Sequence, residues 1–124
     1  MSKNKKLCLR LVREGESHVT AEQVWEAARK EVPGIVMATV YNNLNALAAE
    51  GLISRVQVAN TKDRYDRTLS PHFHLVCDRC GSMRDLMELP VPTEQMDLLL
   101  EGDRYSLELI AHHICKSCQE EAPL

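Results

Sequence analysis

His72-Phe73-His74-Leu75-Val76-Cys77-Asp78-Arg79-Cys80-Gly81 is the stretch on which the reading of this chain turns. An apolar run carries two histidines at i and i+2, on one face of a strand, straight into a Cys-x-x-Cys turn. A second such turn, Cys115-Lys116-Ser117-Cys118, follows with 34 residues between the pairs. Two sulfurs from each of two tight turns satisfy zinc and leave no position open for a substrate. Cys77, Cys80, Cys115 and Cys118 are therefore expected to hold a structural Zn2+ that staples a small domain. The competing reading is a pair of disulfides or a redox dithiol. Against it, the N-terminus opens with the polar run Ser2 to Lys6 rather than an apolar signal segment, and there is no transmembrane run. A reducing cytoplasm is expected, where Cys-x-x-Cys pairs more often bind metal or do redox chemistry. The fifth cysteine, Cys8, sits beside Leu7 and Leu9 and reads as a small core residue.

Working outward, Asp66 lies six residues before His72, and Asp85 follows on the strand after the cysteine turn. A His-x-His pair bracketed by two aspartates, with no sulfur, suits Fe2+, Mn2+ or Zn2+ in an exchangeable site. Met83–Glu88 reads as a returning strand, Thr93–Leu100 as a helix and Tyr105–Ile114 as a strand that delivers the second cysteine pair. The expectation is a small α+β unit with an antiparallel sheet, its edges and apolar face available to a second copy of the chain.

Further upstream the period changes. Thr20 and Gln23 form a capping box, and Ala21, Val24, Trp25 and Ala28 recur at helical spacing up to Pro33-Gly34. A second helix places Met37, Val40, Tyr41, Leu44, Leu47 and Ala48 on one stripe and Thr39, Asn42, Asn43 and Ala46 on another, with Gly51 placed to cap it. Leu7, Leu11 and Val12 indicate an earlier helix. Leu52–Val58 and Arg64–Leu69, separated by Asn60-Thr61-Lys62-Asp63, read as a hairpin. Helix, helix, helix, hairpin is the order of a winged helix-turn-helix, in which the third helix enters the major groove of DNA. Its polar stripe carries Thr and Asn instead of the usual Glu/Lys mix, and Asn pairs bidentately with adenine.

Charge agrees with that division of labour. The net charge of −3 hides a split: residues 1–67 hold eleven Lys/Arg against eight Asp/Glu (+3), whereas residues 68–124 hold four against ten (−6). A polyanion would meet the N-terminal half. Ser70-Pro71 is the expected boundary, giving a DNA-binding domain at 1–69 and a dimerisation and metal-binding domain at 70–124.

Ala38-Thr39-Val40-Tyr41-Asn42-Asn43-Leu44, Arg64-Tyr65-Asp66, the opening stretch and the terminal cysteine pair together resemble the ferric uptake regulator (Fur) superfamily. The likeness runs from about residue 5 to residue 119 and, within the superfamily, is nearest the peroxide-sensing PerR branch. It implies a homodimeric, metal-dependent repressor that binds a double-stranded DNA operator. Its regulatory metal, Fe2+ or Mn2+ with Zn2+ as a further candidate, would sit between the two domains on His18, Asp66, His72, His74 and Asp85. Peroxide would then act through metal-catalysed oxidation of a ligand histidine such as His18 or His72. DNA contacts are expected from Thr39, Tyr41, Asn42 and Asn43 of the third helix, with Lys62 and Arg64 of the wing touching phosphates.

The pattern departs from the family in places. An extra N-terminal helix is expected in the family and is missing here, and Lys3, Lys5, Lys6 and Arg10 are candidates to replace its phosphate contacts. Val36 stands where a Ser helix cap is usual, and His112-His113 stand before Cys115 and raise the question of a further metal site. Alternatives to peroxide sensing are an iron, zinc or manganese uptake regulator, or a metal-binding modulator with weakened DNA binding. An enzyme is not expected: the four-cysteine site is closed, and no His-Glu-x-x-His segment supplies a general base.

Overall fold

The computed structural model describes residues 1–59 and 61–120, so that Asn60 of the expected hairpin turn lies outside the described residues. The chain divides into two compact units, Met1–Leu69 and Ser70–Leu124.

In the first unit, α1 spans Lys3–Glu14, with the Ser2 hydroxyl accepting from the Lys5 backbone N–H. The capping box forms at α2, Ala21–Glu31: Thr20 Oγ1 accepts from the Gln23 N–H, and the Gln23 side chain accepts from the Thr20 N–H. Helix α3, Met37–Ala49, starts at Val36 with no side-chain cap, which leaves an N-terminal N–H without the partner a Ser would supply, at a cost of about 1 kcal/mol. Its C-terminus is well closed. Gly51 sits at φ +77°, and the Gly51 and Leu52 N–H groups reach back to the carbonyls of Ala48 and Leu47. Val40, Leu44 and Leu47 are buried against Leu7, Cys8, Val12, Val24 and Ala28, which makes Cys8 a core residue.

Tyr41 departs from its expected place on the apolar stripe. It is 39% exposed, because Val40, Leu44 and Leu47 take the centre of the buried face and position 41 lies a further 100° round the helix. Strands β1 (Val19–Thr20), β2 (Ser54–Val56) and β3 (Arg64–Asp66) form an antiparallel sheet in the order β1-β3-β2. β2 and β3 are the expected hairpin, shorter than the sequence indicated. β1 is additional.

The second unit contains β4 (Phe73–Cys77), β5 (Met83–Leu86), α4 (Thr93–Leu100), β6 (Ile110–His113) and α5 (Lys116–Glu120). The sheet order is β5-β4-β6. Its expected antiparallel character needs correcting, since β6 pairs parallel to β4 while β5 pairs antiparallel. The excursion through α4 begins and ends at the same end of the sheet, so β6 must run the same way as β4. Pairing starts only at His74↔Ile110, which leaves Tyr105–Leu109 outside the expected long strand. The Tyr105 hydroxyl instead donates to Asp97 at the end of α4. Among the described residues of this unit only Val76, Cys77 and Cys118 are buried hydrophobics, a small core for an independent domain.

Candidate metal centres and nucleic-acid surface

Strand β4 ends in a turn that returns on Gly81, whose φ of +75° is the left-handed conformation glycine adopts without strain. The Gly81 N–H donates to the Cys77 carbonyl, bringing Cys80 back beside Cys77. From the other side, β6 delivers Cys115 and α5 presents Cys118. The Sγ atoms of Cys77 and Cys118 are 3.8 Å apart, and those of Cys80 and Cys115 are 3.9 Å apart. Four sulfurs at about 2.3 Å from a central zinc would be separated by about 3.8 Å along each tetrahedral edge. A disulfide would need about 2.05 Å, so the geometry fits a metal and not the rival disulfide pair. All four thiols are free.

The surroundings favour ionised sulfur. Backbone N–H groups of Cys115 and Cys80 point at Cys77 Sγ and hold its pKa down at about 5. The Ser82 hydroxyl lowers that of Cys80. Cys118 goes the other way, to about 12, because its hydrogen bond with Cys115, burial and the neighbouring sulfurs oppose a further negative charge. Without a cation these sulfurs cannot all be thiolates; a divalent metal removes that conflict. Arg79 donates to the Cys118 carbonyl at 3.0 Å and ties the two turns together.

Two further groups of ligand-type side chains are each assembled within one unit. In the first, the Val19↔Tyr65 pairing of β1 and β3 sets His18 and Asp66 opposite one another, with His18 Nε2 3.5 Å from Asp66 Oδ2. Both residues are buried. The Thr68 N–H occupies the other carboxylate oxygen, Oδ1, and so orients the group.

In the second unit, His74 pairs in register with Asp85, and Asp85 Oδ1 lies 2.9 Å from His72 Nε2 and 3.5 Å from His74 Nε2. His72 Nδ1 is 2.8 Å from the Ser70 carbonyl, which can only accept. The Ser70 carbonyl thus calls for a proton on Nδ1 and turns Nε2 toward the Asp85 carboxylate. Two ligands at about 2.1 Å from one ion are about 3.0 Å apart at right angles and about 3.5 Å apart at tetrahedral angles, so these spacings suit a shared cation. Asp85 and the two histidines offer nitrogen and oxygen only, the donor set of an exchangeable iron, manganese or zinc ion.

His112 and His113 do not extend either group. His112 Nδ1 lies 2.6 Å from Asp78 Oδ1, and among the described residues neither histidine belongs to a compact cluster of three or more ligand-type side chains.

On the candidate DNA face, Tyr41 and Asn42 are exposed on α3, and Thr39 and Asn43 are half-buried beside them. Arg64 is half-buried on β3, whereas Lys62 is exposed and lies 3.7 Å from Glu22. The N-terminal cations are partly spoken for: Lys5 pairs with Glu50, and Arg10 pairs with Glu31 and Glu14. Arg55 is the residue the sequence reading missed. It stands on β2, its guanidinium held by Asp63, with Nη2 donating to the Tyr41 hydroxyl.

A family model described as "Ferric uptake regulator family" matches residues 1–106. The peroxide-responsive repressor PerR of Staphylococcus epidermidis is 28% identical over 119 residues, covering 91% of this chain and 77% of that protein. Among solved structures, the Campylobacter jejuni peroxide stress regulator superposes with a TM-score of 0.76 at 30% identity, over 93% of this chain and 88% of that one. The Helicobacter pylori ferric uptake regulator Fur gives a TM-score of 0.78 at 21% identity, over 96% and 81% of the two chains, and bears on the fold alone. Matched over most of its length by that family's model, the chain belongs to the ferric uptake regulator family.

Proposed function

We propose that the protein is a metal-dependent, DNA-binding transcriptional repressor that works as a homodimer in the cytoplasm and responds to peroxide. The observation that carries the reading is the presence of two ligand sets of opposite chemistry in one chain. Four sulfurs at tetrahedral spacing suit a permanent Zn2+, and a sulfur-free His/Asp set suits an ion that comes and goes. A regulator needs both, one for integrity and one for response.

The residues themselves supply most of the switch. The Thr68 N–H and the Ser70 carbonyl hold Asp66 Oδ1 and His72 Nδ1, which turns Asp66 Oδ2 toward His18 and His72 Nε2 toward Asp85. The first unit contributes His18 and Asp66, the second His72, His74 and Asp85, and we assign all five to one shared Fe2+ or Mn2+. Neither partial set matches the whole in affinity, so the ion favours whichever arrangement of the units lets all five bind. DNA affinity then follows metal occupancy through Thr39, Tyr41, Asn42 and Asn43 of α3, with Lys62 and Arg64 contributing phosphate contacts. Bound Fe2+ would supply the electron that cleaves peroxide, and the imidazoles of His18 and His72 are the nearby groups to be oxidised. Loss of a ring nitrogen as ligand ends repression.

Dimerisation is supported by the apolar surface of the second unit. No side chain of α4 is buried, Leu98 and Leu99 are 78% and 77% exposed, and Met87 and Leu89 are exposed as well. Among the described residues no helix is long and apolar enough to cross a membrane. The reading is tested by sedimentation of the zinc-loaded protein and by gel shift with and without Mn2+. A dimer that binds duplex DNA only with the metal is expected; a monomer, or metal-independent binding, would contradict it.

A further inference from the structure

Arg55 carries five N–H donors and no acceptor, so its 3.3 Å contact with the Tyr41 hydroxyl has one possible polarity: the guanidinium donates and the phenol oxygen accepts. Asp63 fixes the guanidinium from the other side, with Nε and Nη2 donating to one carboxylate oxygen at 3.0 and 2.5 Å. The Tyr41 proton is left to point away from Arg55, toward whatever faces α3. A second bond ties the same hairpin to the same helix, since Tyr65, directly across from Arg55, donates to Asn45 Oδ1 at 2.8 Å. Wing and recognition helix are thus joined at two points along α3.

We infer that Arg55, held by Asp63, is a positioning residue that fixes the Tyr41 hydroxyl as a hydrogen-bond donor to an acceptor on DNA, either a base N7, O6 or O4 atom or a phosphate oxygen. The inference rests on the DNA-binding reading above. With one lone pair taken by Arg55 and the O–H directed away from it, the hydroxyl meets an acceptor on DNA in preference to the amino groups of adenine and cytosine. Preorganisation is the source of the effect: a tyrosine already held by the wing loses less freedom on binding than one that swings freely.

The test begins with a duplex enriched from a random library by the manganese-loaded protein, followed by affinities for wild type, Tyr41→Phe, Arg55→Met, Asp63→Asn and the Tyr41→Phe double variants. Each of Tyr41→Phe and Arg55→Met is expected to weaken binding by about tenfold, the value of one good hydrogen bond. In the Tyr41→Phe background, Arg55→Met and Asp63→Asn should each cost less than about twofold, the mark of a shared interaction. The salt dependence of Arg55→Met should match wild type, because a guanidinium that itself touched phosphate would lower the slope by about one. Methylphosphonate substitution in the duplex then separates a phosphate from a base acceptor, and 7-deazapurine separates N7 from O6 or O4 among the base atoms. Thermal melting checks folding, and Asp63→Asn carries the cycle if Arg55→Met is unstable. Additive losses, or a reduced salt slope, would overturn the inference while leaving the DNA-binding reading intact. Failure to enrich any duplex would overturn both.

Discussion

His74 and Asp85 face one another across β4 and β5 as a direct register pair, with His74 Nε2 3.5 Å from the carboxylate oxygen that also meets His72. One oxygen thus serves two imidazoles, an arrangement that a shared cation stabilises. Asp85→Ala should lower Mn2+ affinity by at least about 100-fold, the upper end of what even outer-sphere partners contribute, while zinc content stays at wild-type level. Calorimetry with Mn2+ together with metal analysis checks both halves; unchanged Mn2+ affinity would remove Asp85 from the site.

Cys77→Ser should abolish zinc retention and unfold the second unit. Structural zinc contributes roughly 10 kcal/mol or more to small domains, comparable with the whole stability of a typical fold. With Val76, Cys77 and Cys118 as the buried hydrophobics among its described residues, the unit has a small core to hold it. Metal analysis and circular dichroism would show the loss; a folded, zinc-free dimer would contradict the assignment.

Acid should release the zinc. The Cys77 thiol is held down at about 5 by the N–H groups of Cys115 and Cys80, against about 8.5 for an unperturbed thiol. A lowered folded-state value stabilises the fold above the unfolded pKa, and that contribution is lost as pH falls through the folded one. Bound metal extends the protection further down. Zinc release followed with a chromogenic chelator should therefore begin only below about pH 5; release already at neutral pH would contradict this.

Asn42→Ala and Asn43→Ala should each weaken operator binding by about 1–3 kcal/mol and relax sequence preference at one base pair. Fluorescence anisotropy against duplexes varied at single positions reads both. Unchanged affinity and preference in both variants would remove α3 from the groove.

Much of the fold is written in local chemistry. Thr20 and Gln23 announce α2, Gly51 closes α3, and the i, i+2 histidines with their cysteine turn mark β4, because each signal acts within a few residues. What local pattern cannot carry is pairing at a distance. β1 is two residues long and exists only because β3 lies beside it. The parallel run of β6 follows from where α4 returns the chain, and so does the truncation of the expected Tyr105–Ile114 strand. The candidate sites divide similarly. Cysteine spacing is local and legible, whereas Arg55 meeting Tyr41 joins a strand to a helix fourteen residues earlier and has no sequence signature.

Peroxide is expected to act through the iron-loaded His/Asp set. Protein loaded anaerobically with Fe2+ and bound to its operator should release DNA at low peroxide and gain one oxygen atom on a peptide containing His18 or His72, by mass spectrometry. The Mn2+ form should stay bound and unmodified. Release with no histidine oxidation, occurring equally in both metal forms and only at doses that oxidise the zinc cysteines, would contradict the claim and leave the chain an iron, zinc or manganese sensor.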